Sequence, residues 1–201
     1  MAEAWAGWGS EVAADCFAFV HGGYASVAAL ADVVGGEAAG VFRFLPGDPH
    51  PISQLRVLAG VEMCRRFYGR GPWDELADSW EARYPAAAAP PSVRALLDGS
   101  RAGIRDIVET CLLTRMRAFG NRSLAELVDP ARVSPGELEQ LEARALRSEP
   151  SPRWIWGECI RLVALTGLRF ATRPEAALET ARLQDVWMRR LGEEVQSISA
   201  A

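Results

Sequence analysis

The sequence predicts an all-α protein, and three observations lead to that prediction. Apolar residues recur every three to four positions along most of the chain, which is the spacing of one helix face. Clusters of Gly and Pro divide the chain into segments of helical length. Alternating strand patterns are nearly absent, and only Val41 to Leu45 hints at one. We therefore expect about eight or nine helices in helix–turn–helix units.

Five helical segments are predicted in the first part of the chain. They are residues 2–20, 27–34, 37–45, 52–68 and 72–83. Gly22 and Gly23 should end the first helix, because glycine favours the backbone conformation of a helix C-terminus. Ser26 is a suitable N-cap for the second helix. The Pro-rich turn from Pro46 to Pro51 should separate the third helix from the fourth.

Residues 85–91, with prolines around four alanines, are the best candidate for a linker. They would divide an N-terminal lobe (1–84) from a C-terminal lobe (92–201), or bend one continuous domain. A long helix is predicted over residues 92–119. Ser123 and Ser134 should cap two short helices, because a serine side chain satisfies free N–H groups at a helix start. The final helical pair is predicted over residues 153–170 and 174–195.

Three stretches of the chain share one pattern at a constant offset of 51 residues. An aromatic residue opens each stretch, and a leucine follows eight positions later. The pairs are Tyr68 with Leu76, Phe119 with Leu127, and Phe170 with Leu178. A period of this length is typical of repeated helical units. We expect the units to stack as a short superhelix or to close as a bundle.

The basic residues are unusual, because all 22 are Arg and none is Lys. We interpret this bias, with the abundant Ala, Gly and Pro, as the mark of a high-GC genome of the actinobacterial type. Without Lys the chain has no Schiff-base lysine and no P-loop lysine. The formal net charge of −4 gives no overall attraction to nucleic acid or to an acidic membrane.

The N-terminus lacks the basic start of a signal peptide, and no apolar run is long enough for a membrane span. A cytoplasmic protein with reduced thiols and no membrane contact is therefore expected. Cys16, Cys64, Cys111 and Cys159 lie 48, 47 and 48 positions apart. Zinc sites usually use close pairs such as C-x2-C, and none is present. We interpret the four cysteines as small apolar packing residues and expect no metal and no cofactor.

Catalytic signals in the sequence are weak. His21 follows an apolar helix, where we interpret it as a C-terminal capping residue. His50 lies between Pro49 and Pro51, so a rigid exposed imidazole is expected there. With Asp48 and Glu62 as neighbouring acids, it is the candidate general base of a small cofactor-independent biosynthetic enzyme. No familiar catalytic motif supports that hypothesis, and the sequence favours a protein that is not an enzyme.

Seven tryptophans and the arginine-only basic set suggest a binding groove. Tryptophan and arginine side chains are frequent in recognition surfaces, although core packing is the usual use of tryptophan. The candidate groove residues are Trp73, Trp80, Trp154, Trp156, Arg65 and Arg66. The groove would hold a protein partner or an apolar small ligand.

Residues 26–60 form a helix, a turn and a second helix, with Ser26, Leu30, Ala31 and Gly35 at the characteristic places. This segment resembles the helix-turn-helix core of lambda-repressor-like regulators, and it equally resembles the N-terminal helical module of some methyltransferases. The resemblance implies DNA as a partner, with Arg43 and Arg56 as contacts. The second helix offers only Glu37 and Arg43 as charged side chains, a composition that favours burial.

Three functional hypotheses follow from the sequence. The first is a cytoplasmic accessory, regulatory or assembly protein that holds a partner or an apolar ligand in a groove lined by Trp and Arg. The alternatives are a helix-turn-helix transcriptional regulator built on residues 26–60 and a small enzyme that acts through His50.

Overall fold

The computed structural model describes residues 1–147 and 151–199, and this part of the chain is all-helical, as predicted. Eleven α-helices and no β-strand occur in it, and eight of the helices are 11 residues or longer. The helices are α1 (Ala2–Gly7), α2 (Gly9–Gly22), α3 (Tyr24–Val34), α4 (Ala38–Val41), α5 (Ser53–Tyr68), α6 (Pro72–Arg83), α7 (Pro91–Leu113), α8 (Leu124–Leu127), α9 (Pro135–Arg147), α10 (Pro152–Thr172) and α11 (Ala177–Ser199). Short 3-10 turns connect several of them.

The first predicted helix is in fact two helices, with the break at Trp8. Gly7 and Gly9 flank this residue, and glycine weakens a helix interior. The Trp8 side chain is buried and packs edge-on against Trp5 and Phe44, with ring centroids 5.3 and 6.1 Å apart. The predicted end of this region is confirmed, because Gly23 has a φ of 57°.

Helix α3 begins at Tyr24, earlier than predicted, and Ser26 therefore lies inside its first turn. The Ser26 hydroxyl donates to the Gly23 carbonyl over 2.8 Å instead of capping the helix. The predicted helix over residues 37–45 is wrong for most of its length, because α4 covers only Ala38–Val41. Val41 and Phe42 are buried in the core, and the helix ends at this point.

Helices α5 and α6 confirm the predicted segments 52–68 and 72–83 to within one residue. Helix α7 ends at Leu113 rather than at Phe119. The chain then forms a 3-10 turn over Arg117–Phe119 and an isolated antiparallel bridge between Met116 and Arg122. The expectation of a helix up to Phe119 is therefore wrong.

Both predicted serine caps are present in the second half of the chain. Ser123 Oγ accepts from the Glu126 amide over 3.2 Å, and Glu126 accepts from the Ser123 amide over 2.7 Å. Ser134 Oγ accepts from the Glu137 amide at the start of α9. Such reciprocal or single caps satisfy amides that have no partner within the helix.

Two long helices organise the packing. Helix α5 contacts α2, α3, α6 and α7, whereas α10 contacts α2, α3, α9 and α11. Helix α3 lies between these two helices and crosses both at glycine. A methyl group at Gly60 would lie 2.8 Å from Val27 Cγ1, and one at Gly167 would lie 2.6 Å from Ala25 Cβ. The glycines therefore set how closely the three helices approach.

The 51-residue pattern places each of its three aromatic residues beside a turn. The flanking helices differ, since α5 and α6 are long while Phe119 follows a 3-10 turn and precedes the four-residue α8. A repeated origin of these segments stays a prediction. The division of the chain at residues 85–91 also stays a prediction, and α10 of the second half packs directly on α2 and α3 of the first.

Within residues 1–147 and 151–199, no helix is both long and apolar enough to span a membrane.

Candidate functional site

A surface groove lies where α2, α10 and the segment 128–133 meet, and we call it the α2/α10 groove. Its volume is about 210 Å³. The residues that line it are Val20, His21, Val128, Arg132, Val133, Trp156, Gly157, Cys159, Ile160 and Arg161. Most of this lining is apolar, and the polar groups are an imidazole, a thiol and two guanidinium groups.

Helix α10 forms one wall of the groove because it carries apolar residues on two faces. Ser151 Oγ caps its start by accepting from the Trp154 amide over 3.3 Å. Ile155 then points into the core and is buried. Trp156 and Ile160, one helical turn apart, point outward and keep 51% and 54% of their surface exposed.

Helix α2 forms the opposite wall. Val20 is buried at the base of the groove, and the His21 ring lies 4.6 Å from the ring of Phe17. Phe17 is 57% exposed, so the apolar surface continues past the groove along α2. On the α10 side, the exposed Val163 extends the same surface beyond Ile160. We call Phe17, Trp156, Ile160 and Val163 the apolar rim of the groove.

The arginines of the groove differ in their surroundings. Arg161 Nε donates to the Arg132 carbonyl over 2.9 Å, and Arg161 Nη1 donates to Glu158 over 2.9 Å. Arg161 is therefore already paired and holds the wall together. The exposed guanidinium groups of Arg132 and of Arg153, one turn before Trp156, have no hydrogen-bond or ion-pair partner among the described residues.

The groove combines apolar side chains with an imidazole, a thiol and guanidinium groups. His21 and Cys159 both line it, but no hydrogen bond joins them in the described part of the chain. Within the same residues, no group of three or more His, Cys, Asp or Glu side chains is placed to hold a metal ion. An exposed aromatic ring, apolar side chains and unpaired guanidinium groups are the elements of a recognition surface.

Of the four tryptophans predicted to line a groove, only Trp156 does so. Trp73 and Trp80 are buried in the core, where Trp73 Nε1 donates to the Gly69 carbonyl over 2.9 Å. Trp154 packs partly against the core from the start of α10. The structure thus assigns three of the four to packing.

Arg65 and Arg66 do not reach the α2/α10 groove. Arg65 Nε donates to Asp74 over 2.7 Å, and Arg66 Nε donates to Glu109 over 3.0 Å. These pairs connect α5 to α6 and to α7. Both arginines therefore bridge helices, whereas the arginines that do lie at the groove, Arg132 and Arg161, were not singled out by sequence.

Two of the three catalytic candidates, Asp48 and His50, lie in one turn. Asp48 Oδ1 lies 2.6 Å from the His50 ring nitrogen and accepts from the His50 amide over 3.0 Å. The backbone hydrogen bond and then the ring contact of His50 lower the pKa of Asp48. Glu62 lies on α5, and no hydrogen bond or ion pair joins it to this turn within the described residues. A short Asp-anchored turn explains the geometry without catalysis.

The predicted DNA-contacting residues, Arg43 and Arg56, lie outside the α2/α10 groove. Arg56 makes a bidentate pair with Asp15, at 2.9 and 2.7 Å, and lies 3.4 Å from Glu11. The hydrogen bonds to Asp15 raise the pKa of Arg56. Arg43 is exposed just after α4, which has only four residues. The second helix of the helix-turn-helix prediction is therefore too short to lay a row of side chains along a DNA groove.

The groove could have been found from one signal in the sequence. Apolar residues lie on opposite sides of α10, with Ile155 and Leu162 inward and Trp156 and Ile160 outward. A helix with one buried face needs only one apolar stripe, so a second stripe predicts a further contact surface.

Comparison with known proteins adds no family to this description. The chain matches no protein-family model, no curated protein and no solved structure.

Proposed function

We propose that the chain is a binding protein of the accessory or assembly type, whose α2/α10 groove receives an apolar side chain from a protein partner. The observation that carries this proposal is the exposure of the apolar rim around a concave site. Contiguous exposed apolar surface bordered by polar residues is typical of interaction sites. A pocket beside an exposed tryptophan suits the insertion of a partner's anchor residue.

The size of the groove favours a protein partner over a metabolite. Pockets for small organic ligands usually measure about 300–1,000 Å³ and enclose most of the ligand. The α2/α10 groove has a volume of about 210 Å³. It suits one large side chain, while the apolar rim provides contact area outside the groove for the surrounding partner surface.

The charges near the groove indicate the chemistry of the partner. Arg132 and Arg153 present guanidinium groups that form paired hydrogen bonds with carboxylates. We therefore expect a segment in which an apolar or aromatic anchor lies near Asp or Glu. We also propose a cytoplasmic location, which agrees with four free cysteines in the described chain.

The proposal is tested with immobilised protein and native lysate, followed by an affinity measurement on the purified partner. Trp156→Ala should weaken binding by about 2 kcal/mol or more, roughly 30-fold, because it removes the central aromatic contact. Arg132→Glu should weaken binding further as salt is lowered, because the reversed charge repels the partner's acids.

Val33→Ala is the control, since Val33 is an exposed apolar residue on α3 outside the groove. It should bind the partner as the unchanged protein does. A partner that binds Trp156→Ala with unchanged affinity would place the interface elsewhere. Saturable quenching of Trp156 fluorescence by a purified metabolite would replace the protein partner with a small ligand.

A further inference from the structure

Two cysteines from distant parts of the sequence face each other between α2 and α7. Trp5 Nε1 on α1 donates to Ser100 Oγ on α7 over 3.0 Å, across 95 positions of the sequence. Cys111 follows Cys16 by the same 95 positions. The two thiols interact with each other across the contact between α2 and α7. The pairing thus belongs to the register of a whole helix interface.

The two thiols have different environments. Cys16 is only 1% exposed, and Cys111 is half-buried. The contact with Cys16 lowers the pKa of Cys111, whereas the same contact and burial raise the pKa of Cys16. The thiolate form is therefore favoured on the more accessible sulfur. Reactive cysteine pairs are usually arranged in this way, with one thiolate that attacks and a second thiol that then forms the disulfide.

We propose that Cys16 and Cys111 form an oxidisable dithiol site at which hydroperoxides act on Cys111 and Cys16 closes a reversible disulfide. The proposal does not rest on the binding function of the α2/α10 groove. Low-pKa, accessible cysteines next to a second cysteine are the ones that respond reversibly to peroxide.

The reaction has two steps. The Cys111 thiolate attacks one oxygen of hydrogen peroxide, the O–O bond breaks, and the leaving hydroxide takes up a proton to become water. Cys111 is then a sulfenic acid. The Cys16 sulfur, having given up its proton, attacks the Cys111 sulfur, and the S–O bond breaks to release a second water. Two thiols are oxidised to one disulfide while one peroxide is reduced to two waters.

The other two cysteines serve as internal controls. Cys64 is fully buried on α5, and burial raises its pKa. Cys159 is partly exposed in the α2/α10 groove, where no second cysteine lines the site among the described residues. Neither combines access with a neighbouring thiol, so peroxide should affect both much less than it affects Cys111.

The sequence makes the test direct, because trypsin places each cysteine in a different peptide. The peptides are residues 1–43, 57–65, 106–115 and 154–161 for Cys16, Cys64, Cys111 and Cys159. The full chain is treated with hydrogen peroxide at neutral pH, its remaining thiols are blocked before denaturation, and the digest is analysed by mass spectrometry. The expected product joins residues 1–43 to 106–115 and disappears on reduction.

Variants identify the role of each sulfur. Cys111→Ser should abolish the linked peptide, while Cys16→Ala should leave a Cys111 sulfenic acid that dimedone traps. Cys159→Ala and Cys64→Ala should keep the link. In the unchanged chain, the rate of Cys111 oxidation should rise with pH at lower pH values than that of Cys159, because the pKa of Cys111 is lowered.

The unchanged chain is sufficient to overturn the proposal, so the result does not depend on variants that fold. Oxidation of Cys111 no faster than that of Cys159, a link through Cys64 or Cys159, or conversion of Cys111 to sulfinic acid without a link would each contradict it.

Discussion

Gln54 is a single residue that lowers the stability of the core. Its side chain is fully buried in α5, and neither amide atom has a hydrogen-bond partner in the described structure. A buried polar group without a partner costs about 1–3 kcal/mol. The unpaired amide of Gln54 therefore lowers the stability of the folded state.

Replacing this residue should stabilise the protein. Gln54→Met keeps the shape of the side chain and removes both unpaired polar atoms, so the free energy of unfolding should rise by about 1 kcal/mol. Urea unfolding followed by circular dichroism measures the change. The same substitution at the exposed Gln140 on α9 should alter it by less than about 0.5 kcal/mol. A loss of stability in Gln54→Met would mean that the amide has a partner in solution.

Substitution of alanine at two glycines of α10 should change the free energy of unfolding in opposite directions. Gly167→Ala places a methyl group 2.6 Å from Ala25 Cβ. Ala25 Cβ is bonded directly to the backbone and cannot rotate away, so the two helices would have to separate. The substitution should lower the free energy of unfolding by about 1–3 kcal/mol. Gly157→Ala meets nothing within 4 Å and should raise it by about 0.5–1 kcal/mol, because alanine favours a helix. Thermal unfolding of both variants decides the sign.

The sequence could not separate core tryptophans from surface tryptophans. Trp73 and Trp156 both lie near the start of a Pro-initiated helix. Trp73 is buried because α6 packs on α5 and its ring meets Tyr24 at 5.7 Å. Trp156 is exposed because nothing in the described chain covers that face of α10. The difference arises from tertiary packing.

At the scale of one element, the start of α6 couples stability to pH. Asp74 Oδ1 accepts from Arg65 Nε, and Asp74 Oδ2 accepts from the Gly71 amide over 3.1 Å. These two hydrogen bonds lower the pKa of Asp74 below its ordinary value of 3.8. A group with a lowered pKa stabilises the folded state above the unfolded-state pKa and loses this contribution as pH falls through the folded-state pKa.

Asp74→Asn should therefore destabilise the protein at neutral pH, and the difference from the unchanged chain should shrink below about pH 4. Urea unfolding at a series of pH values measures it. Asp78→Asn, on the exposed face of the same helix, is the matched control and should show a smaller difference at neutral pH. A difference for Asp74→Asn that is independent of pH would show that its carboxylate charge is not what stabilises the helix.

Helices were predicted best where local capping determines them. Pro72 begins α6, and Ser123 and Ser134 cap α8 and α9, as their local sequence indicates. Prediction failed over residues 37–45 and at the end of α7. In the first case the core fixes Val41 and Phe42, and in the second Thr114 turns the chain into an extended conformation. Such long-range contacts leave no local signal.

At the scale of the whole molecule, Arg169 connects three helices. Its guanidinium donates to Glu142 on α9 over 2.5 Å and to Glu179 on α11 over 3.4 Å, while its Nε is buried without a partner. Arg169 and Glu142 are both largely buried. Removing one member of a buried ion pair leaves the other charge without compensation.

Arg169→Met should lower the free energy of unfolding by about 3 kcal/mol or more. The double variant Arg169→Met/Glu142→Leu should recover part of the loss, because it removes the stranded carboxylate as well. Arg189→Met breaks an exposed pair with Asp185 and should change stability by less than about 1 kcal/mol. If the double variant loses the sum of both single effects, the pair is not coupled.

The position of α3 between α5 and α10 has a consequence for the order in which the chain is made. Helices α3 and α5 leave the ribosome early, and they meet through Gly60 and Val27 with few residues between them. Ala25 on α3 packs against Gly167 on α10, which is synthesised much later. During synthesis the nascent chain therefore carries a face of α3 that stays uncovered until α10 has been made.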